Sequence, residues 1–334
     1  MSDLPNAISA WLSPSQAPML RRVGELLHLP IVRAGSPDLG QSHAVANDLL
    51  AQPATDLRQL LVDPQARVVL ILAAGSFGTD PASADASILA AAASRGVRVL
   101  SLDPIPASAL DLASPEWQAP GATAAFRPLS LFRHSPTVRD ALELLPDLGP
   151  IRLAHAELLA SPDETSLGSR LFDGIELLLS LMGDPDTIDA SPVPPSGLPI
   201  STPDSLRKLA GGLSAHLRWT DGRAATLTAS NHAGGWRRRV LLIADKGRLT
   251  VDDVGIEWRD VSGSLRESPS ERTHHTSAAH CIAHAVARAL EPGSPADPPI
   301  HLAPVLCAAQ AAMLSARTRQ TESLANISRI LAGQ

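Results

Sequence analysis

The sequence of 334 residues contains no tyrosine, two cysteines and two lysines, Lys208 and Lys246. Two cysteines cannot build a disulfide framework, so the sequence favours a reducing compartment and predicts a cytoplasmic protein. The net charge of −6 argues against a nucleic-acid binder, because such proteins displace counterions with a basic surface. The longest apolar run, Val68 to Ala74, is far shorter than the ~20 residues of a membrane-spanning helix. We therefore expect neither nucleic-acid nor membrane partners.

Hydrophobic residues make up 44% of the chain and charged residues 19%, which is enough apolar material for a folded core. Helix-like and strand-like segments alternate through the first 125 residues. The continuous apolar run 68–74 is typical of a parallel strand that is buried on both faces. An alanine-rich helix at 83–95 leads to another short buried strand at 97–102. This alternation predicts an α/β domain with a parallel sheet and helices on both faces.

From about residue 150 the pattern changes to short strands separated by turns. Segments 213–219 and 224–230 flank Thr-Asp-Gly-Arg, and segments 238–244 and 248–251 flank Asp-Lys-Gly, as in two β-hairpins. Three helices are predicted beside these strands: 171–182, 276–290 and 303–318. Consecutive hairpins predict a mostly antiparallel sheet, so we expect an α+β second half.

Several stretches resemble the segments of one known family, in the same order and spacing. Residues 96–104 (GVRVLSLDP) are similar to its strand end GKHVLCEKP, and residues 171–185 resemble its helix ending WLLGEP. Residues 219–222 (WTDG) and the strand that follows resemble its F-x-D-G turn and next strand. From about residue 6 to residue 322 the chain thus resembles the Gfo/Idh/MocA family, which is named for glucose–fructose oxidoreductase and inositol dehydrogenase.

The resemblance implies a Rossmann-like NAD(P)-binding domain at 1–128 and an α+β domain with an open, mostly antiparallel sheet at 129–322, followed by a tail at 323–334. In this family the open sheet makes oligomer contacts, and the substrates are typically sugars, polyols and their relatives. We therefore expect a homo-oligomer that assembles through the C-terminal sheet, with a further protein as a second kind of partner.

The loop that should hold the dinucleotide departs from the family pattern. Such a loop needs glycines, so that the chain can turn tightly and its N–H groups can approach the pyrophosphate. The three glycine positions align with Trp11, Ser13 and Gln16, and Pro14 and Pro18 remove further backbone donors. The family's glycine loop is therefore absent from this sequence.

Three serines are the remaining candidates for cofactor binding. The acidic residue that would bind the ribose hydroxyls aligns with Ser36, and Asp38 follows two residues later. The hydroxyls of Ser13 and Ser15, at the start of the first helix, would be available to a phosphate. The alternative for these two serines is an ordinary helix cap, which this pattern favours.

The catalytic positions have changed as well. The family's lysine, which helps to position substrate and to transfer a proton, aligns with Asp103, while its histidine and the aspartate three residues later align with Asp173 and Glu176. Asp173 and Glu176 share one helix face, and with Asp103 they would form a carboxylate cluster. Such a cluster would hold a divalent cation or raise one carboxyl pKa. The alternative is an acidic cleft that was left after catalysis was lost, and we favour it.

Two other groups of residues merit attention. His280 and His284 are spaced to share a zinc ion on one helix face, in the segment that begins with His274. A zincin motif would need glutamate at position 281, where the sequence has cysteine, so histidines that pack or face water are favoured. The run Arg237 to Arg239 would alternate along an exposed strand, where it binds an anion or the acidic face of a partner, or merely covers a sheet edge, which is favoured.

These departures together predict a pseudo-oxidoreductase: a non-catalytic binding or scaffold protein that uses no cofactor. The alternative is an active NAD(P)-dependent oxidoreductase on a sugar-like or polyol-like substrate, in which Asp173 or Glu176 replaces the usual histidine and lysine. Metal-assisted chemistry at Asp103, Asp173 and Glu176 is a third hypothesis. The sequence leaves open whether the protein is an enzyme.

Overall fold

The structure is a computed structural model, and it describes residues 4–80, 83–119, 121–194, 204–268, 277–291 and 300–331. Its strands are β1 Ile8–Trp11, β2 Ile31–Gly35, β3 Gln52–Ala54, β4 Val68–Ile71, β5 Arg98–Ser101, β6 Arg127–Pro128, β7 Ile151–Leu159, β8 Thr187–Val193, β9 Gly212–Arg218, β10 Ala224–Ser230, β11 Arg237–Ala244, β12 Gly247–Asp252, β13 Ile256–Asp260, β14 Leu265–Glu267 and β15 Glu322–Ser323. Its α-helices are α1 Ala17–Leu27, α2 Ser42–Asp48, α3 Leu57–Val62, α4 Asp85–Ser94, α5 Ala109–Leu112, α6 Pro115–Gln118, α7 Pro136–Leu148, α8 Leu167–Met182, α9 Ala278–Leu290, α10 Leu302–Thr318 and α11 Leu324–Leu331.

The first sheet is parallel throughout, with the strand order β3-β2-β1-β4-β5-β6. Every residue of β1 and β4 is buried, because helices cover both faces of the sheet. The chain leaves β3 on one side of β1 and returns at β4 on the other side. This reversal of strand order is the topological switch point of a Rossmann-like sheet. The predicted α/β domain is confirmed.

The second sheet has nine strands in the order β14-β13-β12-β11-β7-β10-β9-β8-β15. Every neighbouring pair is antiparallel except β7 with β10, and both predicted hairpins, β9–β10 and β11–β12, are confirmed. Burial alternates along the strands: Leu213, Ala215 and Leu217 of β9 are buried on the face that carries α8 and α10. The opposite face carries exposed and half-exposed polar side chains, as an open sheet requires.

Helix α9 packs against α1 beside the parallel sheet, although it comes late in the chain. Ile282 and Val286 of α9 are fully buried in the same apolar cluster as Leu20 and Val23 of α1. At the chain end, Leu324 of α11 is buried in the same apolar cluster as Leu213 and Leu217 of β9. The sequence-based domain limits, 1–128, 129–322 and 323–334, stay predictions.

None of the helices in the described part of the chain combines the length and apolar content needed to cross a lipid bilayer. The cytoplasmic localisation stays a prediction.

Candidate functional site

A cleft of about 770 Å³ lies at the switch point, beyond the carboxyl ends of β1, β4 and β5. One wall belongs to the parallel sheet and includes Ser13 and Asp103. The other wall comes from the second half of the chain and includes Ser166, Arg207 and Lys208. We call this space the interdomain cleft. In open parallel sheets, ligands bind in such a crevice.

A second space of about 360 Å³, which we call the side cavity, lies beyond the ends of β2 and β3. It is lined by residues that include Trp11 and Arg58. Pro37, Asp38 and Ser76 line both spaces, so the interdomain cleft and the side cavity are adjacent along the strand ends, and we call the two together the groove. An elongated ligand would span both spaces.

The start of α1 forms one end of the interdomain cleft, and it offers few backbone donors. The N–H of Ser13 donates to Oε1 of Gln16 at 3.0 Å, and Pro14 has no N–H to offer. The side chain of Gln16 also donates to the carbonyl of Glu164 at 3.5 Å, so the second domain abuts this helix start. Ser13 is half-buried and Ser15 is exposed, and both line the cleft as the alignment predicts. Phosphate binding by these serines stays a prediction.

Trp11 fills space at the end of β1 where the family has glycine. Its ring lies against Gly35 at the end of the neighbouring strand: a Cβ added to Gly35 would lie 2.4 Å from Cζ3 of Trp11 and 2.2 Å from the carbonyl oxygen of Ala54. Only glycine fits at position 35 for this reason. The large side chain at position 11 is thus accommodated by the absence of one at position 35, a compensation that the sequence analysis missed.

Ser36 and Asp38 have different roles at the end of β2. Ser36 is buried, its N–H donates to Oγ of Ser42 at 3.1 Å, and its hydroxyl oxygen accepts the N–H of Asp38 at 3.1 Å. Ser36 therefore holds the turn. Asp38 is exposed, lines both spaces of the groove and follows the aligned ribose position by two residues.

The cation of the side cavity, Arg58, is neutralised by its neighbours. Its Nε lies 2.8 Å from Oδ1 of Asp85, and its Nη1 lies 3.5 Å from Oδ1 of Asp56. The guanidinium also lies over the ring of Phe77, 5.5 Å from the ring centroid. Asp85 is fully buried, which holds this ion pair in place.

Asp103 lines the interdomain cleft and joins the two domains. Its carboxylate accepts the N–H of Ala74 at 3.0 Å and the hydroxyls of Ser166 at 2.7 Å and Ser169 at 2.9 Å. Both serines belong to the start of α8, so the position that carries lysine in the family here accepts hydrogen bonds from the facing domain.

Asp173 and Glu176 are not among the described residues that line the interdomain cleft. Both are buried, with 2% and 3% of their surfaces exposed. The hydroxyl of Ser130 lies between them, 3.2 Å from Oδ1 of Asp173 and 2.7 Å from Oε2 of Glu176. The N–H of Phe132 also donates to Asp173, at 3.1 Å. This carboxyl pair thus lies behind the cleft wall.

Arginines accompany both members of the pair. Arg133 hydrogen-bonds with Glu176, and Nη2 of Arg170 lies 3.5 Å from Oδ2 of Asp173. Burial raises the pKa of both carboxyl groups, and the neighbouring guanidinium groups oppose this rise. No group of three or more His, Cys, Asp or Glu side chains is placed to hold a metal ion within the described ranges. An acid–base role for Asp173 and Glu176 stays a prediction.

A short segment of the second domain crosses the cleft, and sequence reasoning missed it. We call residues 204–209 the interdomain strap. The guanidinium of Arg207 donates to the carbonyls of Gly75 at 2.8 Å, Pro104 at 3.0 Å and Phe77, all at the ends of β4 and β5. Burial lowers the pKa of Arg207 to about 10, so it remains charged at neutral pH. Lys208 is the next residue and lines the cleft.

The histidine segment is only partly described. Nδ1 of His280 lies 2.8 Å from the hydroxyl oxygen of Ser277, at the start of α9, and His284 is half-buried on the same helix. His274 and His275 lie outside the described residues. The zinc hypothesis therefore receives no support from the described part of the chain, where no metal-binding group is found.

The prediction that Arg237 to Arg239 alternate on an exposed strand is wrong for Arg238. Arg237 and Arg239 are exposed on the open face of the second sheet, whereas Arg238 points into the core with 1% of its surface exposed. Strand alternation sends neighbouring side chains to opposite faces. There Arg238 pairs with Asp253, its Nη2 lying 2.5 Å from Oδ1, while Arg237 pairs with Glu157 at 3.1 Å.

Comparison with known proteins gives fold-level similarity. No family model matches the chain, and no curated protein matches it in sequence. Among solved structures, an oxidoreductase domain protein from Kribbella flavida is 16% identical with a TM-score of 0.65, and covers 96% of this chain and 100% of its own. Levoglucosan dehydrogenase in complex with NADH is 13% identical with a TM-score of 0.66, at 96% and 99% coverage. A myo-inositol dehydrogenase from Corynebacterium glutamicum is 13% identical with a TM-score of 0.62, at 96% and 99% coverage.

The fold is thus that of the NAD-binding sugar and polyol oxidoreductases, over nearly the whole chain. This similarity is consistent with the Gfo/Idh/MocA resemblance of the sequence. The prediction that the protein uses no cofactor is contradicted, because its structural neighbours include an NAD-binding oxidoreductase from Klebsiella pneumoniae and a dehydrogenase that is solved with NADH.

Proposed function

We propose that the protein binds a nicotinamide dinucleotide along the groove and acts as an oxidoreductase on a sugar-like or polyol-like substrate. The observation that carries the proposal is the groove itself, which runs along the strand ends at the switch point of a Rossmann-like sheet. The fold similarity to dehydrogenases, such as the one solved with NADH, extends over 96% of the chain and supports the proposal.

The residues of the groove fit a dinucleotide that is held differently from the family's. The Ser13 and Ser15 hydroxyls would face the diphosphate where glycine N–H groups are absent. The carboxylate of Asp38 would accept hydrogen bonds from the ribose hydroxyls. The Trp11 ring is buried beside Gly35, and the side cavity remains open next to it.

Asp103 and Ser166 are the groups we assign to proton transfer. When bound, the dinucleotide supplies or accepts a hydride. The chain must then take a proton from the substrate hydroxyl, or return one. The carboxylate of Asp103 lines the cleft with the Ser166 hydroxyl 2.7 Å away, so a substrate proton would reach Asp103 directly or through Ser166.

A second candidate is a dinucleotide-binding protein that performs no hydride transfer. The observation that favours it is the position of Asp173 and Glu176, which are buried behind the cleft wall with arginine partners. Incubation with oxidised cofactor and a panel of sugars and polyols separates the two candidates. Reduced cofactor appears only if the protein is an oxidoreductase.

We expect NADH to bind at least about tenfold more tightly than NADPH. A 2′-phosphate at the ribose position would lie near the carboxylate of Asp38, and Arg58 is already neutralised by Asp85 and Asp56. Titrations that follow nicotinamide fluorescence give both affinities. Thermal unfolding gives a second readout, because ligand at 100 times its Kd stabilises the native state by ~2.7 kcal/mol.

Asp38→Asn should reduce the difference in affinity between NADH and NADPH, because it removes the repulsion between the Asp38 carboxylate and the 2′-phosphate of NADPH. Asp48→Asn is the matched control, since Asp48 is exposed at the end of α2 and lines neither space of the groove. Absence of binding at millimolar concentration of both cofactors would rule out the proposed function. Equal binding of NADH and NADPH would leave the function standing and refute the role of Asp38.

We also propose that a second copy of the chain covers the open face of the second sheet. That face carries charges of both signs, including Arg237, Arg239 and Glu157, which suits a symmetric contact of the face with itself. Sedimentation should give a dimer or larger assembly, and Arg237→Glu with Arg239→Glu should dissociate it. Arg22→Glu, on the distant helix α1, is the control. A monomer at every concentration would contradict the proposal and favour a different protein as the partner.

A further inference from the structure

The interdomain cleft has more negatively than positively charged side chains, which disfavours a negatively charged cofactor. Four carboxylates line the interdomain cleft, against the two cations Arg207 and Lys208; they are Asp38, Asp103, Asp111 and Asp204. A dinucleotide brings two further negative charges in its diphosphate. Like charges that share a site of reduced dielectric repel strongly, so a cation that faces the diphosphate would favour its binding.

The helix start cannot meet this need alone. In glycine loops the backbone N–H groups approach the pyrophosphate, but here Pro14 has no N–H, and that of Ser13 is already donated to the Gln16 side chain at 3.0 Å. The Ser13 and Ser15 hydroxyls remain, and they are neutral donors. Neutral hydrogen bonds are roughly half as strong as charge-assisted ones.

The two terminal nitrogens of Arg207 are already engaged with the protein backbone. Its guanidinium donates to the carbonyls of Gly75, Phe77 and Pro104, and so fastens the interdomain strap to the ends of β4 and β5. Removing these bonds would leave three strand-end carbonyls without their donor. Arg207 is therefore a positioning residue for the strap.

The backbone of the strap next to Arg207 is held in place by the contacts of Leu206. Leu206 is fully buried, and its N–H donates to the carbonyl of Ala107 at 3.1 Å. Its carbonyl oxygen lies 2.1 Å from where a Cβ would stand on Gly168, so α8 approaches the strap at a distance that only glycine permits. Lys208 thus leaves a rigid backbone with its own side chain exposed.

Lys208 is the cation left for a ligand. Its nearby acidic neighbour Asp204 is paired with Arg317 at 2.5 Å, and the Asp103 carboxylate accepts three hydrogen bonds from Ala74, Ser166 and Ser169. Among the residues that the structure describes, Lys208 takes part in no ion pair. A lysine ammonium binds phosphate as a compact point charge on a flexible stem.

We propose that Lys208 binds the diphosphate of the dinucleotide, together with the hydroxyls of Ser13 and Ser15. The strap of the second domain thus supplies, with an ammonium group, the electrostatic stabilisation that backbone N–H groups of a glycine loop supply from the first domain in other Rossmann-like sheets. This inference rests on the proposed function, because it requires that a dinucleotide bind in the groove. Its specific content is that the second domain holds the diphosphate.

The lysine content of the chain provides a direct test. Reductive methylation with ¹³C-formaldehyde labels the two lysines, Lys208 and Lys246, and the terminal amine, and it preserves their charge. The three dimethylamine NMR signals are assigned with Lys208→Arg and Lys246→Arg. NADH and ADP should shift the Lys208 signal, whereas adenosine, which lacks phosphate, should leave it in place. The Lys246 signal, from the β11–β12 turn, should respond to none of them.

Affinity gives the second readout. Lys208→Met should weaken NADH binding about 10- to 100-fold, the range expected for losing a hydrogen bond to a charged group. Lys208→Arg should retain most of the affinity, and Lys246→Met should match the unmodified protein. Rising salt should weaken binding less in Lys208→Met than in the parent, because one phosphate contact is gone.

The possible outcomes distinguish a failure of the proposal for Lys208 from a failure of the proposed function. If NADH does not bind the parent protein, the proposed function fails and this inference fails with it. If NADH binds while the Lys208 signal stays in place and Lys208→Met binds normally, the function stands and this inference is overturned. A shift with adenosine as large as that with ADP would also overturn it, because the diphosphate would then not be the group that Lys208 contacts.

Discussion

Replacing Asp253 with alanine should destabilise the protein by about 3–5 kcal/mol, because the Arg238 guanidinium would stay buried without its counter-charge. Oδ1 of Asp253 accepts Nε of Arg238 at 2.7 Å, and Oδ2 accepts the backbone N–H of the same residue at 2.9 Å. The guanidinium also donates to the carbonyl of Leu131 and lies between the rings of Phe132 and Trp236. With 1% of the Arg238 surface exposed, little solvent can replace the lost partner.

Urea denaturation measures the effect as a lower midpoint. The double variant Arg238→Met with Asp253→Leu should recover a large part of the loss, because apolar side chains replace both charges at once. Asp245→Ala is the control: Asp245 pairs with Arg152 on the surface, where both side chains are about half exposed, and its loss should change the midpoint little. A single Asp253 variant as stable as the parent, or a double variant no better than the single, would contradict the argument.

Acidification from pH 7 to pH 4.5 should cost the protein about 2–3 kcal/mol through His134. Burial lowers the pKa of His134, and together with the charges of Arg127, Arg133, Arg288 and Arg139 it brings the pKa from 6.5 to about 3. The unfolded chain takes up a proton at this residue below pH 6.5, while the folded chain does so only near pH 3. The stability that the neutral imidazole contributes is therefore present above pH 6.5 and lost as the pH falls toward 3.

His134→Gln should remove most of this slope between pH 6.5 and pH 4.5, since glutamine stays neutral. The exposed histidine His43 is the control: His43→Gln should keep the slope of the parent. The raised pKa of the Asp173 and Glu176 carboxyl groups acts in the opposite direction, because their contribution is present at low pH and lost as the pH rises. Both carboxyls are common to all variants, so the difference between variants reports His134 alone. An unchanged slope in His134→Gln would refute the assignment.

The candidate site was predictable only where it lies next to a strand end. Ser13, Ser15 and Asp103 follow buried strands, and the carboxyl ends of parallel strands meet at one edge of a sheet, so their place in the cleft follows from the sequence. Asp173 and Glu176 were harder to place, because a helix that is buried almost all round gives no periodicity that says which face meets the cleft. Their orientation depends on Ser130, Arg133 and Arg170, two of which come from other segments.

The expectation that no cofactor binds came from four departures taken together: the loss of the family's glycine loop, of its ribose-binding acid, of its lysine and of its histidine. The loop did lose its glycines, but the groove is built from strand ends, the side cavity and a strap more than 100 residues away in the chain. The sequence showed no sign that Arg207 and Lys208 line the cleft, because nothing local in 204–209 indicates which surface the segment crosses.

The sequence by itself determined the two sheets of this protein, since period-two and period-3.6 patterns, turn residues and continuous apolar runs act between neighbours in the chain. The sequence by itself also shows that other residue types stand at the positions that align with the family's glycine loop, lysine and histidine. Only the tertiary structure decided that Arg238 faces inward beside Asp253, that α9 packs on α1, and that the second domain brings Lys208 to the groove. These contacts join residues far apart in sequence, and they form because burial and charge pairing are satisfied by the whole fold and not by any single segment.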